Sequence, residues 1–320
     1  MQGEPPSQVD PHGHVPVLLD STIEALHPTA GATFVDCTAG RGGHASAIAR
    51  RLRPDGRVVL FDLDEENLTH ARARVEVENG VETLAINRSF AAVGRELTQR
   101  GLQADGLLAD LGFASNQMDD SSRGFSLRGD GPLDMRLDRR IPVSAADLVA
   151  HLKERELRDL IRRFGEDPAA GRIARKIVDE RARKPIEETA HLARLVREAY
   201  GSRARESRVH PATRTFQALR IAVNDELGAL EALLSELEAA TRLATSGSPG
   251  WLAPGARLVL ISFHSLEDRM IKQRFARMDE SGLLESRSRK PVTPSESEVR
   301  ANARARSAKM RWAKVGPSGT

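Results

Sequence analysis

Three aspartates and a glycine-rich turn are the residues best placed to do chemistry in this chain. Gly40-x-Gly42-x-x-Ala45 puts small residues where a backbone must pass close to a ligand at a helix N-terminus. Asp62 follows roughly 20 residues on, where an acid can accept both hydroxyls of a ribose. Asp36 closes the apolar run just before the turn, and Asp110 closes a later one. A third run leads into Ser262-Phe263-His264-Ser265-Leu266-Glu267-Asp268, which offers an aromatic face, an imidazole and hydroxyls.

Two adenosine-containing cofactors fit the turn. The glycine spacing suits a dinucleotide, with Ala45 in the last small position. S-adenosylmethionine uses a similar turn but brings a sulfonium and an ammonium in place of a pyrophosphate. Asp36 beside the turn would repel a pyrophosphate and attract those cations, which favours S-adenosylmethionine. Asp110 would then be an oxygen acceptor for an amine proton, or a further cofactor contact; the residues alone leave both open. Ser265 followed by Asp268 reads as a capping box, which would account for Ser265 but not for His264. His44 and His264, far apart in sequence, do not make a metal site.

The elements that must position these groups alternate. Strands are expected at Thr33–Thr38, Arg57–Phe61, Glu82–Ile86, Asp105–Leu111 and Arg257–Ser262, with helices after the first three, from Ala45, Glu65 and Ala92. This is a doubly wound α/β pattern. It stops at a polar stretch from Gly112 to Asp138, and helical periodicity then runs from Ser144 to Tyr200. One long helix is expected from Pro211 to Leu237 and another from Ser265 to Arg277. The reading is one α/β domain, 1–117 with 210–320, interrupted by an all-helical insertion, 118–209.

The 320 residues carry 40% hydrophobic and 29% charged side chains and a net charge of +3, which fits a globular protein able to bind nucleic acid. One cysteine, Cys37, rules out an internal disulfide. No apolar run reaches the ~20 residues of a membrane span, and the polar, proline-rich start is unlike a signal peptide, so a cytoplasmic location without a membrane partner is expected. The insertion carries Arg162, Arg163, Arg172, Arg175 and Lys176. The segment Ser286–Lys314 carries nine Arg and Lys against Glu296 and Glu298, and is expected to be a basic tail tracking a phosphate backbone.

Longer motifs add a resemblance. They are His14–Leu19, Asp36–His44, Asp110-Leu111-Gly112, Gln117–Asp120, Arg123–Ser126, Gly131–Arg136, His210–Arg220, Asn224–Leu227 and Ser262–Arg269. Together they resemble the bacterial small-subunit ribosomal RNA cytosine-N4 methyltransferases, the RsmH or MraW family, from about His14 to the C-terminus. The resemblance implies a class I, Rossmann-like S-adenosylmethionine-dependent fold with an inserted helical domain for RNA. It implies methylation of the N4 amino group of a cytidine in the decoding centre, near the P site, of 16S rRNA within the small ribosomal subunit. It carries cofactor contacts over to Gly42, Gly43, His44, Asp62, Phe90, Asp110 and Gln117, with Asp110 as the catalytic candidate. Arg136, Arg214, Phe263 and His264 are the substrate-binding candidates. Where the family commonly has Val-Ser-Ser-Pro-Gln this chain has Phe113-Ala114-Ser115-Asn116-Gln117, and where Phe-Gly is common it has Ala39-Gly40.

An NAD(P)-dependent oxidoreductase rests on the glycine turn alone and leaves the helical insertion unexplained. A non-catalytic ribosome-assembly factor would not need Asp62 and Asp110. The sequence leaves the oligomeric state open, a homodimer included.

Overall fold

The computed structural model describes residues 16–78, 80–113, 115–127, 129–205 and 210–319. His14 and Val15 of the first matched motif lie outside the described residues. Two compact units are resolved, residues 1–112 with 228–320, and residues 113–227.

The first unit is built on five parallel strands, β1 (Thr33–Asp36), β2 (Gly56–Phe61), β3 (Val81–Ile86), β4 (Ala104–Asp110) and β5 (Leu252–Ser262), extended by β6 (Leu284–Arg287) and β7 (Lys309–Val315). Their order is β3-β2-β1-β4-β5-β7-β6, with β7 antiparallel to both neighbours. The helices before the insertion are α1 (Leu19–Leu26), α2 (Gly43–Leu52), α3 (Glu65–Glu76) and α4 (Val93–Gln99). The insertion contributes α5 (Ser115–Asp119), α6 (Ala145–His151), α7 (Glu154–Gly165), α8 (Ala170–Arg181), α9 (Thr189–Tyr200) and α10 (Thr213–Asn224). Then come α11 (Glu226–Thr245), α12 (Ser265–Glu280) and α13 (Glu296–Ala301).

Parallel strands covered on both faces read as continuous apolar runs, because alternate side chains enter different cores. Val58 and Leu60 lie with Ile23, Ile48, Leu52 and Leu68 under α1, α2 and α3. Val59 and Phe61 lie with Leu97, Leu233, Leu237 and Phe275 under α4, α11 and α12. Both layers hold the strands so that their carboxyl ends share one rim, where a doubly wound sheet binds ligands.

The second unit has its own core, formed by Leu157, Ile161, Ile173, Ile177, Leu192, Val196, Phe216 and Leu219. It is wider than the expected 118–209, because Phe216 and Leu219 of α10 belong to this core. The single helix expected from Pro211 to Leu237 is two helices. Asp225 takes a left-handed φ of 47° between them, a conformation that Asp tolerates better than most residues. The Asn224 amide secures the break by donating to the Met135 and Arg220 carbonyls, at 2.7 and 2.9 Å. Its Oδ1 accepts the Leu137 N–H at 2.7 Å.

The expected basic tail is also corrected. Lys309–Val315 is a strand inside the sheet, with Met310 in one core layer and Ala313 and Val315 in the other. Arg311 is only 4% exposed, and its Nε donates to Asp268 at 2.7 Å. Arg287 pairs with Asp279 at 2.8 Å, and Lys314 with Glu285 at 2.7 Å. The acids that balance this segment thus come from α12 and β6 as well as from within the run. Arg289, Lys290, Arg304 and Arg306 remain at the surface.

Candidate functional site

The ends of β1 and β4 are stitched together. Cys37 N–H donates to the Leu108 carbonyl at 2.8 Å. Asp110 N–H donates to Thr38 Oγ1 at 2.6 Å, and Thr38 N–H donates to Asp36 Oδ1 at 3.0 Å. Thr38 therefore fixes two of the predicted acids, a role the sequence reading missed.

The glycine turn is tied to the end of β2. Ala39 N–H donates to the Phe61 carbonyl at 2.9 Å, and Gly40 N–H donates to Asp62 Oδ2 at 2.8 Å. Asp62 Oδ1 accepts the Asp64 N–H at 2.9 Å. Gly42 has φ +77°, and a Cβ there would stand 2.8 Å from the Ala71 Cα; one on Gly43 would stand 2.4 Å from Pro16 Cγ. These two glycines are required by the protein's own packing, whatever a ligand demands. Asn87, just beyond β3, donates to the carbonyls of Asp62 and Leu63, each at 3.0 Å, and so holds the loop that presents Asp62. Sequence reasoning passed over Asn87; a lone polar side chain after a strand was the signal available. Phe90 opens a short turn capped by Ser89 and packs against the core layer that contains Val93 and Leu97.

His44, in the first turn of α2, is buried. Its Nε2 lies 3.0 Å from the Val17 carbonyl oxygen, and its Nδ1 lies 3.7 Å from Asp110 Oδ2. The other Asp110 oxygen, Oδ1, is buried without a hydrogen-bond partner. Leu111 N–H donates to the Ile261 carbonyl at 2.9 Å, which sets the β4 end beside the end of β5. Phe263 follows there, its ring 3.6 Å from where a Cβ on Gly112 would stand.

The cap of α12 differs from the expected Ser265–Asp268 box. His264 is the N-cap, and its Nδ1 accepts the Glu267 N–H at 3.4 Å. Glu267 Oε2 accepts the Phe263 N–H at 2.9 Å. The box lies one residue earlier than predicted because Asp268 is turned toward Arg311. His264 thus has a structural account that the sequence did not supply. Glu267 is a buried carboxylate that shapes this loop.

Strand ends therefore bring Asp36, Asp62 and Asp110 to one rim, with Glu267 behind it. Burial, opposed by the Thr38 hydrogen bond and reinforced by the charge of Asp62, pushes Asp36 up to about 7. Burial pushes Asp62 up to about 6 despite its bonds from Asp64 and Gly40. Asp110 is held well above the usual carboxylate range by burial and by the charges of Asp36 and Glu267. Such a rim favours a cation.

Three expected site residues belong to the second unit. Gln117 is buried in α5. Arg136 forks onto Asp134, at 2.7 and 2.9 Å, and donates to the Ile141 carbonyl at 2.8 Å, so three of its five N–H donors are occupied within its own loop. Arg214 is exposed and donates to the Glu166 carbonyl at 3.0 Å.

A profile of the "MraW methylase family" matches residues 11–315. A relative from Symbiobacterium thermophilum, named ribosomal RNA small subunit methyltransferase H, is 46% identical over 314 residues, covering 93% of this chain and 95% of its own. A relative of the same name from Acidobacterium capsulatum is 45% identical over 305 residues, covering 94% and 97%. The doubly wound sheet with its antiparallel β7 is the Rossmann-like architecture of class I methyltransferases. With a family match over nearly the whole length and relatives this similar, the chain belongs to the MraW methylase family.

Proposed function

We propose that this protein transfers a methyl group from S-adenosylmethionine to the N4 amino group of a cytidine in the decoding centre of 16S rRNA, in the cytoplasm. The observation that carries the cofactor half is the buried acidic rim of Asp36, Asp62 and Asp110. A sulfonium and an ammonium would be stabilised there, and the pyrophosphate of a dinucleotide would be repelled. The relatives' names and the motif resemblance support the RNA half.

The residues present suit the cofactor. Asp62 uses its two oxygens to hold Gly40 and Asp64, and a carboxylate's remaining lone pairs are enough for two ribose hydroxyls. Gly42, Gly43 and His44 would flank the ligand at the start of α2, Phe90 would bound it beyond β3, and Gln117 is carried over by resemblance. The cofactor supplies an electrophilic methyl on sulfur. Asp110, whose side chain is partly exposed at the rim, would accept an N–H of the target amine and turn its lone pair toward that methyl. A delocalised base amine is a weak nucleophile, so alignment at ~3–3.5 Å is the main gain. Phe263 would offer a face to the base, with His264 beside it. Arg136, Arg214 and the helical unit would contact the RNA.

Specificity for one cytidine requires a folded RNA surface, and the base must leave its stack to reach a sulfonium at the strand ends. The test is methyl transfer to purified small subunits, free 16S rRNA and short cytidine oligomers, with the modified base mapped by mass spectrometry. N4-methylcytidine formed well on particles and poorly on oligomers is the expected outcome. Equal efficiency on both, or methylation of another atom, would overturn the proposal. Calorimetry should detect S-adenosylmethionine binding and no comparable binding of NAD.

A further inference from the structure

We propose that Arg88, Arg95 and Arg100 form a seat, within the first unit, for the phosphodiester backbone of the RNA substrate. The inference deepens the RNA half of the proposed function and rests on it. From Arg88 to Arg100 the sequence holds three arginines and one acid, Glu96. Folding gathers all three on that acid, which is only 4% exposed on α4. Arg88 Nε lies 3.1 Å from Glu96 Oε1, Arg95 Nη2 lies 3.6 Å from the same oxygen, and Arg100 Nη1 lies 2.5 Å from Oε2. Arg100 Nη1 also donates to the Glu96 carbonyl at 2.9 Å.

Neutralising Glu96 does not need this many cations. Arg88 and Arg100 already take one carboxylate oxygen each, and Arg95 stands beyond hydrogen-bonding range. Among the described residues no other acid pairs with any of the three. Glu236 of α11 lies against Gly94, but it accepts Trp251 Nε1 at 3.2 Å. Elsewhere on this unit cations and acids match one to one, as in Arg57 with Glu82, Arg72 with Glu76 and Lys314 with Glu285. Three guanidiniums on one carboxylate leave an excess of positive charge whose mutual repulsion a bound anion would offset.

The form and the place of this excess suit an RNA backbone. A guanidinium presents five N–H donors in a plane, and the two non-bridging oxygens of a phosphodiester match that fork. Arg88 and Arg95 each turn one nitrogen toward Glu96 and keep 59% of the side chain exposed, so most of their donors face solvent. The buried carboxylate orders the guanidiniums beforehand, which lowers the entropy cost of binding. Arg88 follows Asn87, whose amide holds the Asp62 loop, and precedes Phe90. The seat therefore begins at the carboxyl end of β3, the outermost strand on that side of the rim. A strand that delivers a base to the rim must carry its phosphates past this edge.

The test compares the full-length protein with Arg88→Ala/Arg95→Ala and with Arg88→Lys/Arg95→Lys, by filter binding to 16S rRNA over a range of salt. Each cation withdrawn from a phosphate removes about 0.7–0.9 from the slope of log affinity against log salt, so the alanine pair should lower it by about 1.4–1.8. With affinities converging near 1 M salt, that is a loss of about 20-fold at about 0.15 M and about 7-fold at about 0.3 M. The lysine pair keeps both charges but loses both forks, so it should keep the wild-type slope and bind more weakly at every salt concentration. Calorimetry should find S-adenosylmethionine affinity unchanged in both variants. On small subunits the alanine pair should raise KM for the particle and keep kcat at saturation, as expected of a contact made equally in the ground and transition states. A wild-type slope in the alanine pair would overturn the seat; a fall in cofactor affinity with that unchanged slope would make the arginines a brace for the Asn87 loop instead. If the wild-type protein binds rRNA but transfers no methyl group to it, the proposed function falls, while the slopes still decide the seat.

Discussion

Cofactor affinity should depend on pH in a form set by Asp36. This carboxyl is 1% exposed and raised from 3.8 to about 7. That displacement opposes its ionisation by about 4 kcal/mol. A cation bound at the rim needs the ionised form, so binding must draw a proton off. If Asp36 is the controlling group, the apparent Kd is the limiting Kd multiplied by one plus the ratio of protonated to ionised Asp36. That factor is about 2 at pH 7, about 10 at pH 6 and near 1 at pH 8. S-adenosylmethionine should therefore bind about tenfold more tightly at pH 8 than at pH 6, with a further loss below about pH 6 as Asp62 is protonated. Titration calorimetry in two buffers of different ionisation enthalpy should detect close to one proton released at pH 6 and little at pH 8. Asp36→Asn should bind more weakly at pH 8 and show little pH dependence between 6 and 8. A flat wild-type affinity over that range, or buffer-independent heats at pH 6, would refute the claim that a buried acid faces the cation.

The same group has an opposite effect on the empty fold. Because its folded-state value lies above the unfolded one, Asp36 contributes stability that is full below about pH 4 and lost as pH rises to about 7. Thermal melts should show Asp36→Asn gaining on wild type between pH 5 and 8. Asp62→Asn should weaken S-adenosylmethionine binding by about 10–100-fold, since charge-assisted bonds contribute roughly 1.5–3 kcal/mol each; calorimetry that finds wild-type affinity would contradict the ribose role. Its new amide also meets the Gly40 N–H, so the turn should loosen, measurable as faster amide exchange at Gly40. Asp110→Asn should lower turnover more than cofactor affinity if its carboxylate serves the amine, whereas full recovery at saturating cofactor would make it a cofactor contact only. Replacing Arg304 and Arg306 together should weaken small-subunit RNA binding and reduce its salt slope by about 2; an unchanged slope would assign these two exposed arginines to the solvated surface.

The legible parts of the fold were those where one local rule acts alone. Buried parallel strands such as Arg57–Phe61 and Asp105–Leu111 announce themselves as apolar runs, and the glycine turn follows from its spacing. The helix break at Asp225 was not legible, because apolar periodicity continues across it. What breaks the helix is Asn224 reaching back to Met135 and Leu137, 89 and 87 residues away. The cap of α12 was misplaced by one residue for a similar reason: Ser265–Asp268 and His264–Glu267 are equally spaced, and Arg311 and Lys309 on β7 decide between them by engaging Asp268.

Charge was the least legible property, and its two signs failed differently. The run from Arg287 to Lys314 looks like an unneutralised cationic tail because only its sequence neighbours are in view. Folding brings Asp268, Asp279 and Glu285 to Arg311, Arg287 and Lys314, and β7 becomes an interior strand of the sheet. Arg274 shows the same effect on α12, buried against Glu231, Ser235 and Glu238 of α11. For the acids, folding works the other way. Asp36, Asp62 and Asp110 are spread over 75 residues of sequence, each beside apolar strand residues and none beside another acid. The parallel order β2-β1-β4 sets all three at one end of the sheet, where burial raises each of them and a nearby acid adds to it: Asp62 for Asp36, Asp36 and Glu267 for Asp110, and Asp64 for Asp62. Cations that the sequence advertises are thus largely neutralised within the protein, while acids that it disperses are concentrated at the one rim where a doubly wound sheet can hold a ligand. The sign of the ligand follows from that concentration, and so does the requirement that it release protons as it binds.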